Sequence, residues 1–276
     1  MKKKYWLLLL GFVVLVLIIT VCIIDSKQSS GRLKVSFFDV GQGDASLIQT
    51  ANGLNILIDG GPDNKVLYGL SQALPWWDRT IDLMILTHPH DDHVSGLIDV
   101  IRKYKVRKIL YTGIVHASPA YLAWLKEVKA KKIELKIIDR PQDIKLGENC
   151  DFKIIYPSKS FLNIEMKNLN NSSIVGQLDC ENKKILFMGD AEKEVEQELL
   201  SSYDNLDSDI IKTGHHGSDT SSTEDFLRAV NPKTAIISVG KNNMFGLPDL
   251  QVVRRLERLG IKVLRTDIDG AVYESF

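Results

Sequence analysis

Apolar positions along the chain fall into two textures. Short runs of four to eight hydrophobic residues end abruptly in acids, glycines or histidines, and the stretches between several of them carry apolar residues three and four apart. The first texture reads as buried strands and the second as helices with one buried face. Strands are expected over residues 33–40, 45–48 and 55–58, the first two joined by Gly41-Gln42-Gly43, and a fourth over 81–86. Val94, Leu97, Ile98 and Ile101 set a helical stripe over 94–104, followed by a strand over 106–111, a helix over 119–130 and a strand over 133–138. The second half predicts strands over 152–157, 173–178, 184–188, 209–212 and 235–239, helices over 192–200 and 249–259, and closing strands over 261–264 and 271–273. Strands alternating with helices imply a layered α/β architecture. No linker interrupts residues 33–276, which reads as one domain, and the polar, Ser-rich stretch 26–32 reads as a linker before it.

The N-terminus has a different pattern. Met1-Lys2-Lys3-Lys4 precedes residues 5–24, which carry no charge. That length suits one membrane-spanning helix, and the lysines before it would keep the N-terminus inside the cell. Residues 1–25 are therefore expected to be a membrane anchor or uncleaved signal, giving a single-pass protein of the cell membrane with its domain outside. Cleavage would make it secreted, but Ile19-Thr20-Val21-Cys22-Ile23-Ile24 offers no small-x-small site.

Composition narrows the classes. With 35 basic and 35 acidic residues in 276, the formal charge is zero, which argues against a strongly basic nucleic-acid module but permits a local stripe. Arg102, Lys103, Lys105, Arg107 and Lys108, with Lys126, Lys129, Lys131 and Lys132, form either a solvated face or a phosphate-tracking patch. Outside the apolar segment only Cys150 and Cys180 remain, as a pair or as two buried thiols.

The chemistry concentrates at two places. Thr87-His88-Pro89-His90-Asp91-Asp92-His93 follows an expected strand and gathers five metal-competent side chains, and His215-His216 follows another. Five of the six histidines lie in these two loops. Imidazoles and a carboxylate aimed from strand ends suit a borderline divalent cation. Asp59, at the end of the third strand, is placed to orient an imidazole.

These residues carry a resemblance. The H-x-H-x-D-H loop, Asp59, Gly189-Asp190 and His215-His216 look like the metallo-β-lactamase superfamily. More narrowly, Phe38-Asp39-Val40-Gly41-Gln42-Gly43-Asp44-Ala45, Asp59-Gly60-Gly61, Phe187-Met188-Gly189-Asp190-Ala191-Glu192, Lys212-Thr213-Gly214-His215-His216-Gly217-Ser218 and Arg265-Thr266-Asp267-x-Asp269-Gly270 resemble the extracellular hydrolase domain of the competence protein ComEC and its free-standing relatives. The resemblance implies a four-layer αββα sandwich with one or two divalent ions, zinc or manganese, at one edge. His88 and His90 would serve one ion and Asp92 and His93 the other, with Asp190 bridging and His216 or His215, His216 preferred, completing the second while the other touches substrate or moves a proton. Asp92, Asp190 and His215 would act in catalysis. Asp44, Asp59, Asn171, Ser172, Ser173 and Ser218 would orient ligands or touch substrate.

Two departures stand out. Many relatives place a further histidine between the metal loop and the bridging aspartate, where this chain has only His116, just before an expected helix, and a polar stretch Asn170-Asn171-Ser172-Ser173. Relatives also commonly write Gly-His-Pro where Gly246-Leu247-Pro248 stands. The first reading is a membrane-anchored, outward-facing phosphodiesterase or nuclease using a metal-bound hydroxide, with nucleic acid as substrate and separate DNA-uptake machinery as partner. The second keeps the ions and changes the substrate to a β-lactam, thioester or phosphorylcholine ester. The third is a metal-containing binding domain weakened by Leu247.

Overall fold

The computed structural model describes residues 5, 6, 9–17, 20, 31–180 and 182–276. Its first half builds one seven-stranded sheet and its second half another. The first sheet takes β1 (Lys34–Phe37), β2 (Ser46–Gln49), β3 (Asn55–Ile58), β4 (Thr80–Ile85), β5 (Lys105–Tyr111) and β6 (Glu134–Ile137), adjacent in that order. The second takes β7 (Gln142–Gly147), β8 (Cys150–Tyr156), β9 (Val175–Cys180), β10 (Lys183–Phe187), β11 (Ile210–Lys212), β12 (Thr234–Ile237) and β13 (Lys262–Arg265). The last strand, β14 (Val272–Ser275), crosses back and pairs antiparallel with β1. The two expected closing strands thus belong to different sheets, which ties the chain's end to its first strand.

The β3–β6 strands run parallel, as do β10–β13. Parallel neighbours need crossovers, and helices supply most of them. Helices α1 (Lys65–Ala73), α2 (Asp91–Lys103) and α3 (Pro119–Lys131) pack on the outer face of the first sheet, burying Leu70, Val94, Leu97 and Trp124 against Leu47, Leu57 and Met84. Helices α4 (Lys193–Ser202), α5 (Glu224–Val230) and α6 (Leu250–Arg258) do the same on the second, through Val195, Leu199, Phe226 and Leu256; a short α7 (Thr266–Asp269) precedes β14. Between the sheets lies a third apolar cluster, where Phe37 of β1 stacks on Phe187 of β10 at 5.9 Å between centroids. The expected αββα order is therefore present. Cys150 and Cys180 face each other on adjacent strands and are joined in a disulfide.

The expected membrane span must be corrected. Crossing a bilayer takes about 20 consecutive apolar helical residues, and no helix of the described residues is long and apolar enough. Described helix within 5–24 reaches no further than residues 9–17 in one stretch, and residues 7, 8, 18, 19 and 21–24 lie outside the described residues. The single-pass anchor is withdrawn, and with it the cell-membrane localisation and the outward-facing placement. The linker residues 26–30 also lie outside the described residues.

Candidate metal centre

One edge of the sandwich collects the chemistry because the parallel strands end there. β3 delivers Asp59, β4 delivers His88 and His90, and α2 begins at once with Asp91, Asp92 and His93 in its first turn. Carboxylates at a helix N-terminus complement its dipole, so this helix starts where the ligands are needed. β10 delivers Asp190, and β11 delivers His215 and His216. These last two take left-handed backbone angles (φ 46° and 52°) and Gly217 continues them (φ 77°). The sharp turn separates the neighbouring rings, with centroids 6.1 Å apart, and sends them to different partners.

Two donor sets meet at Asp190. Asp92, His93, His216 and Asp190 place one ligand atom each within 4.8 Å of one another, and so do His88, His90 and Asp190. Asp190 Oδ2 lies 3.3 Å from His93 Nε2, 3.4 Å from His216 Nε2 and 3.7 Å from His88 Nε2. His216 and not His215 stands in these groups, and Asp190 belongs to both.

Each inner histidine is aimed by what its other nitrogen touches. Asp59 Oδ2 lies 2.8 Å from His93 Nδ1, while Thr87 donates its N–H and hydroxyl to the two Asp59 oxygens. His216 Nδ1 sits 3.0 Å from the Ser238 carbonyl and 3.3 Å from Asp44 Oδ1. His88 Nδ1 meets the Thr87 hydroxyl at 3.1 Å, leaving its Nε2 3.0 Å from His90 Nδ1. Asp44 is balanced by buried Lys212, whose Nζ is 2.5 Å from Asp44 Oδ2 and donates to the Thr213 carbonyl. Such outer partners fix ring orientation and raise ligand basicity.

The donors fit a cation. Among the described residues, His93 Nε2 and Asp190 Oδ1 are buried without a hydrogen-bond partner, an arrangement that costs about 1–3 kcal/mol per atom unless an ion takes the lone pairs. Burial opposes charge on Asp190, but His216 and His93 outweigh it and hold its carboxyl well below the usual carboxylate range. Burial likewise opposes charge on His93 and His216, yet Asp190, aided by Asp59 for His93 and by Asp44 for His216, raises both well above the ordinary imidazole value. Burial, reinforced by His93, pushes His88 well below it.

His215 stands apart, at the wall of a cleft of about 640 Å³ that opens onto His90, Asp92 and Asp190. Its Nδ1 lies 3.1 Å from Glu192 Oε1 and 3.0 Å from the Thr220 hydroxyl. Glu192 is itself held by amide donors from Asn168 (2.7 Å) and Asn170 (2.8 Å). Within the polar loop, Ser173 holds Asp190 as a supporting residue would, while its neighbours hold other loop groups. Asn171 accepts from the Glu192 N–H, Ser172 donates to the Leu169 carbonyl, and Ser173 Oγ accepts the Asp190 N–H. Ser218 Oγ accepts from the Thr220 hydroxyl. Ser173 thus anchors Asp190, the other three hold loops in place, and it is Asn170 that lines the cleft.

Several participants escaped the sequence reading. Thr87, Glu192 and Lys212 stand inside the quoted motifs but were given no role there, and Ser238 lies outside all of them; a lysine at the end of a buried apolar strand was the clearest signal. His116, expected just before a helix, lies five residues beyond β5 and lines the cleft. Leu247 does not line it; its side chain packs against the apolar cluster around α6, and Phe245 reaches the cleft instead. The basic stretch also lies elsewhere. Asp91 and Ser118 sit at the cleft at the N-termini of α2 and α3, whereas Arg102, Lys103, Lys129 and Lys131 occupy the opposite ends, about 18 Å away along 13-residue helices. Arg102 pairs with Glu127, Arg107 with Asp82 and Lys108 with Glu134.

Comparison with known proteins agrees with this geometry. The chain is 28% identical over 260 residues to ComE operon protein 3 of Bacillus subtilis (88% of this chain, 33% of that protein). It is 31% identical over 242 residues to competence protein ComA of Neisseria gonorrhoeae (86% and 31%). It thus spans about a third of the length of these curated relatives. Among solved structures, Igni18, a metallo hydrolase from Ignicoccus hospitalis, shares the fold with a TM-score of 0.57 at 14% identity, over 88% of this chain and 99% of that one. Residues 38–241 match the model of the metallo-beta-lactamase superfamily, and it is to this superfamily, with competence proteins among its relatives, that the chain belongs.

Proposed function

We propose that this metal-dependent hydrolase is a phosphodiesterase whose substrate is a nucleic-acid strand or a smaller phosphodiester that can enter the cleft. The observation that carries the reading is Asp190, shared by two donor sets. A pair of divalent ions, when bound, makes water nucleophilic at neutral pH and offsets charge on the attacked phosphoryl oxygens. The choice of a phosphodiester follows from the resemblance to the ComEC hydrolase domain, and one relative is named as a competence protein.

The chain's own residues supply the rest. Asp59, Asp44 and the Ser238 carbonyl keep the Nε2 atoms of His93 and His216 turned inward. Glu192 binds His215 through Nδ1, and the ring's Nε2, 3.3 Å from the Asn170 amide, stands at the cleft wall, where His215 can give a proton to the departing oxygen. Phosphodiester hydrolysis then forms a phosphorus–oxygen bond to water and breaks the one to the leaving group, which takes the His215 proton, while the proton lost by the water passes to solvent and solvent reprotonates His215.

One observation favours a small substrate over a long duplex: the basic residues that could follow a phosphate backbone sit at the far ends of α2 and α3. The two are separated by turnover of bis-(p-nitrophenyl) phosphate, labelled single strands and duplex with manganese or zinc, for the full chain beside His88→Ala and Leu247→His. Metal-dependent cleavage lowered by about 100-fold or more in His88→Ala is expected. Silence on every phosphodiester with hydrolysis of a thioester or β-lactam would replace the reading, and activity only in Leu247→His would make the parent a binding domain.

A further inference from the structure

His116 is the one histidine without a place in the donor sets or beside Glu192. It stands on the β5–α3 loop, partly buried, with its ring centroid 6.3 Å from that of His90 and 6.2 Å from that of Tyr121. The loop is tied at several points. Val115 donates its N–H to the Ile164 carbonyl at 3.0 Å, and the Tyr121 hydroxyl donates to the Ile114 carbonyl at 3.3 Å. Ser118, also lining the cleft, caps α3 by accepting the Tyr121 N–H. A loop fixed on both sides of His116 positions the ring.

His116 is not where a ligand would be. Nitrogens bound to one ion at about 2.1 Å lie no more than about 4.2 Å apart. His88 Nε2 and His90 Nδ1, at 3.0 Å, satisfy that limit, whereas the donor set they form with Asp190 does not include His116. The ring faces the space in front of the donors, on the wall built by the first sheet, and His215 stands on a loop of the second. Asp91, Asp92 and Asp190 also line this cleft, and among the described residues its lining includes no lysine or arginine. An anionic group entering it must therefore find its protein donors among imidazoles, amides and hydroxyls.

We propose that His116 is a substrate-binding residue that donates a hydrogen bond from its ring to a non-bridging oxygen of a phosphoryl group held in the cleft. The inference rests on the phosphodiesterase reading for the class of ligand and on the loop geometry for the residue.

Two calorimetric titrations of the full chain test it: inorganic phosphate into the manganese-loaded protein, and manganese into the metal-free protein, for the parent, His116→Ala and His116→Gln. Phosphate affinity should fall about 5–10-fold in His116→Ala, the worth of one hydrogen bond. The amide of His116→Gln should recover part of it, and manganese affinity should stay within about twofold. A tenfold drop in manganese affinity would make His116 a ligand and overturn the proposal, as would unchanged phosphate affinity or a parent that binds no phosphate. If His116→Ala does not fold, His116→Gln decides alone, through phosphate affinity lowered at constant manganese affinity. A parent that binds phosphate through His116 but cleaves no phosphodiester would refute the function above and leave this inference standing; a phosphodiesterase indifferent to His116 would do the reverse.

Discussion

At the scale of single residues, the centre is a balance of buried charge. Asp44, Asp59, Asp92 and Asp190 surround histidines whose pKa values are driven in opposite directions, His93 and His216 up, His88 and His90 down. In the metal-free chain, groups with raised values contribute stability that is complete below about pH 6.5 and is lost as pH rises through their folded values. Asp92 and Asp190 are depressed, so their contribution is complete above the ordinary carboxylate value and is lost in acid. A cation entering the site competes with protons for His93 and His216, whose values are raised. Manganese or zinc affinity should therefore rise as pH rises, read by calorimetric titration at several pH values; an affinity independent of pH would show that no proton is displaced from the two imidazoles. Glu192, only 9% exposed, orients His215 without touching the donor sets. Glu192→Gln should lower kcat by roughly 10-fold or more and shift its pH profile while metal affinity stays constant, and a change in metal affinity alone would give Glu192 a different task.

At the scale of elements, loops meet the helices so closely that side chains are excluded. A Cβ on Gly96 would lie 1.9 Å from the Gly60 carbonyl oxygen, and one on Gly43 2.2 Å from that of Asp92. The approach is backbone on backbone, with Gly96 donating to the Gly61 carbonyl and Asp44 to the Asp92 carbonyl. Gly96→Ala should destabilise by about 1–3 kcal/mol or more, lowering Tm by roughly 2–4 °C per kcal/mol and weakening metal binding because α2 carries Asp92 and His93; an unchanged melting curve would show that the loop yields freely. This element scale was the most legible in the sequence. The stripe Val94, Leu97, Ile101 gave α2, and strands ending in histidine or aspartate gave the metal edge. Three kinds of feature were not legible. Helix α1 follows Pro62 and mixes polar with apolar positions, β7 alternates through exposed Asp143 and Lys145, and α5 is only seven residues long. The apolar N-terminal run met the compositional criterion for a span, whereas no helix of the described residues is long and apolar enough to cross a membrane.

At the scale of the whole molecule, zero formal charge conceals a division. Acids crowd the metal edge, where Lys212 is buried against Asp44, and cations gather at the opposite ends of α2 and α3. If a nucleic acid ran along that far pole to reach the cleft, it would have to pass about 18 Å of helix beside acidic loops. Several of the cations are already engaged, Arg102 by Glu127 and Arg107 by Asp82, although exposed pairs of this kind contribute little to stability. The division therefore makes a quantitative claim. Replacing Lys103, Lys105 and Lys129 with glutamine should leave turnover of bis-(p-nitrophenyl) phosphate and of a labelled single strand within about twofold of the parent. The dependence of strand binding on salt should also keep its slope. Every lysine that neutralises a strand phosphate steepens that slope by about 0.7, so a slope shallower by about 2 in the triple variant would place the strand across the far pole and transfer the preference from small phosphodiesters to polymers.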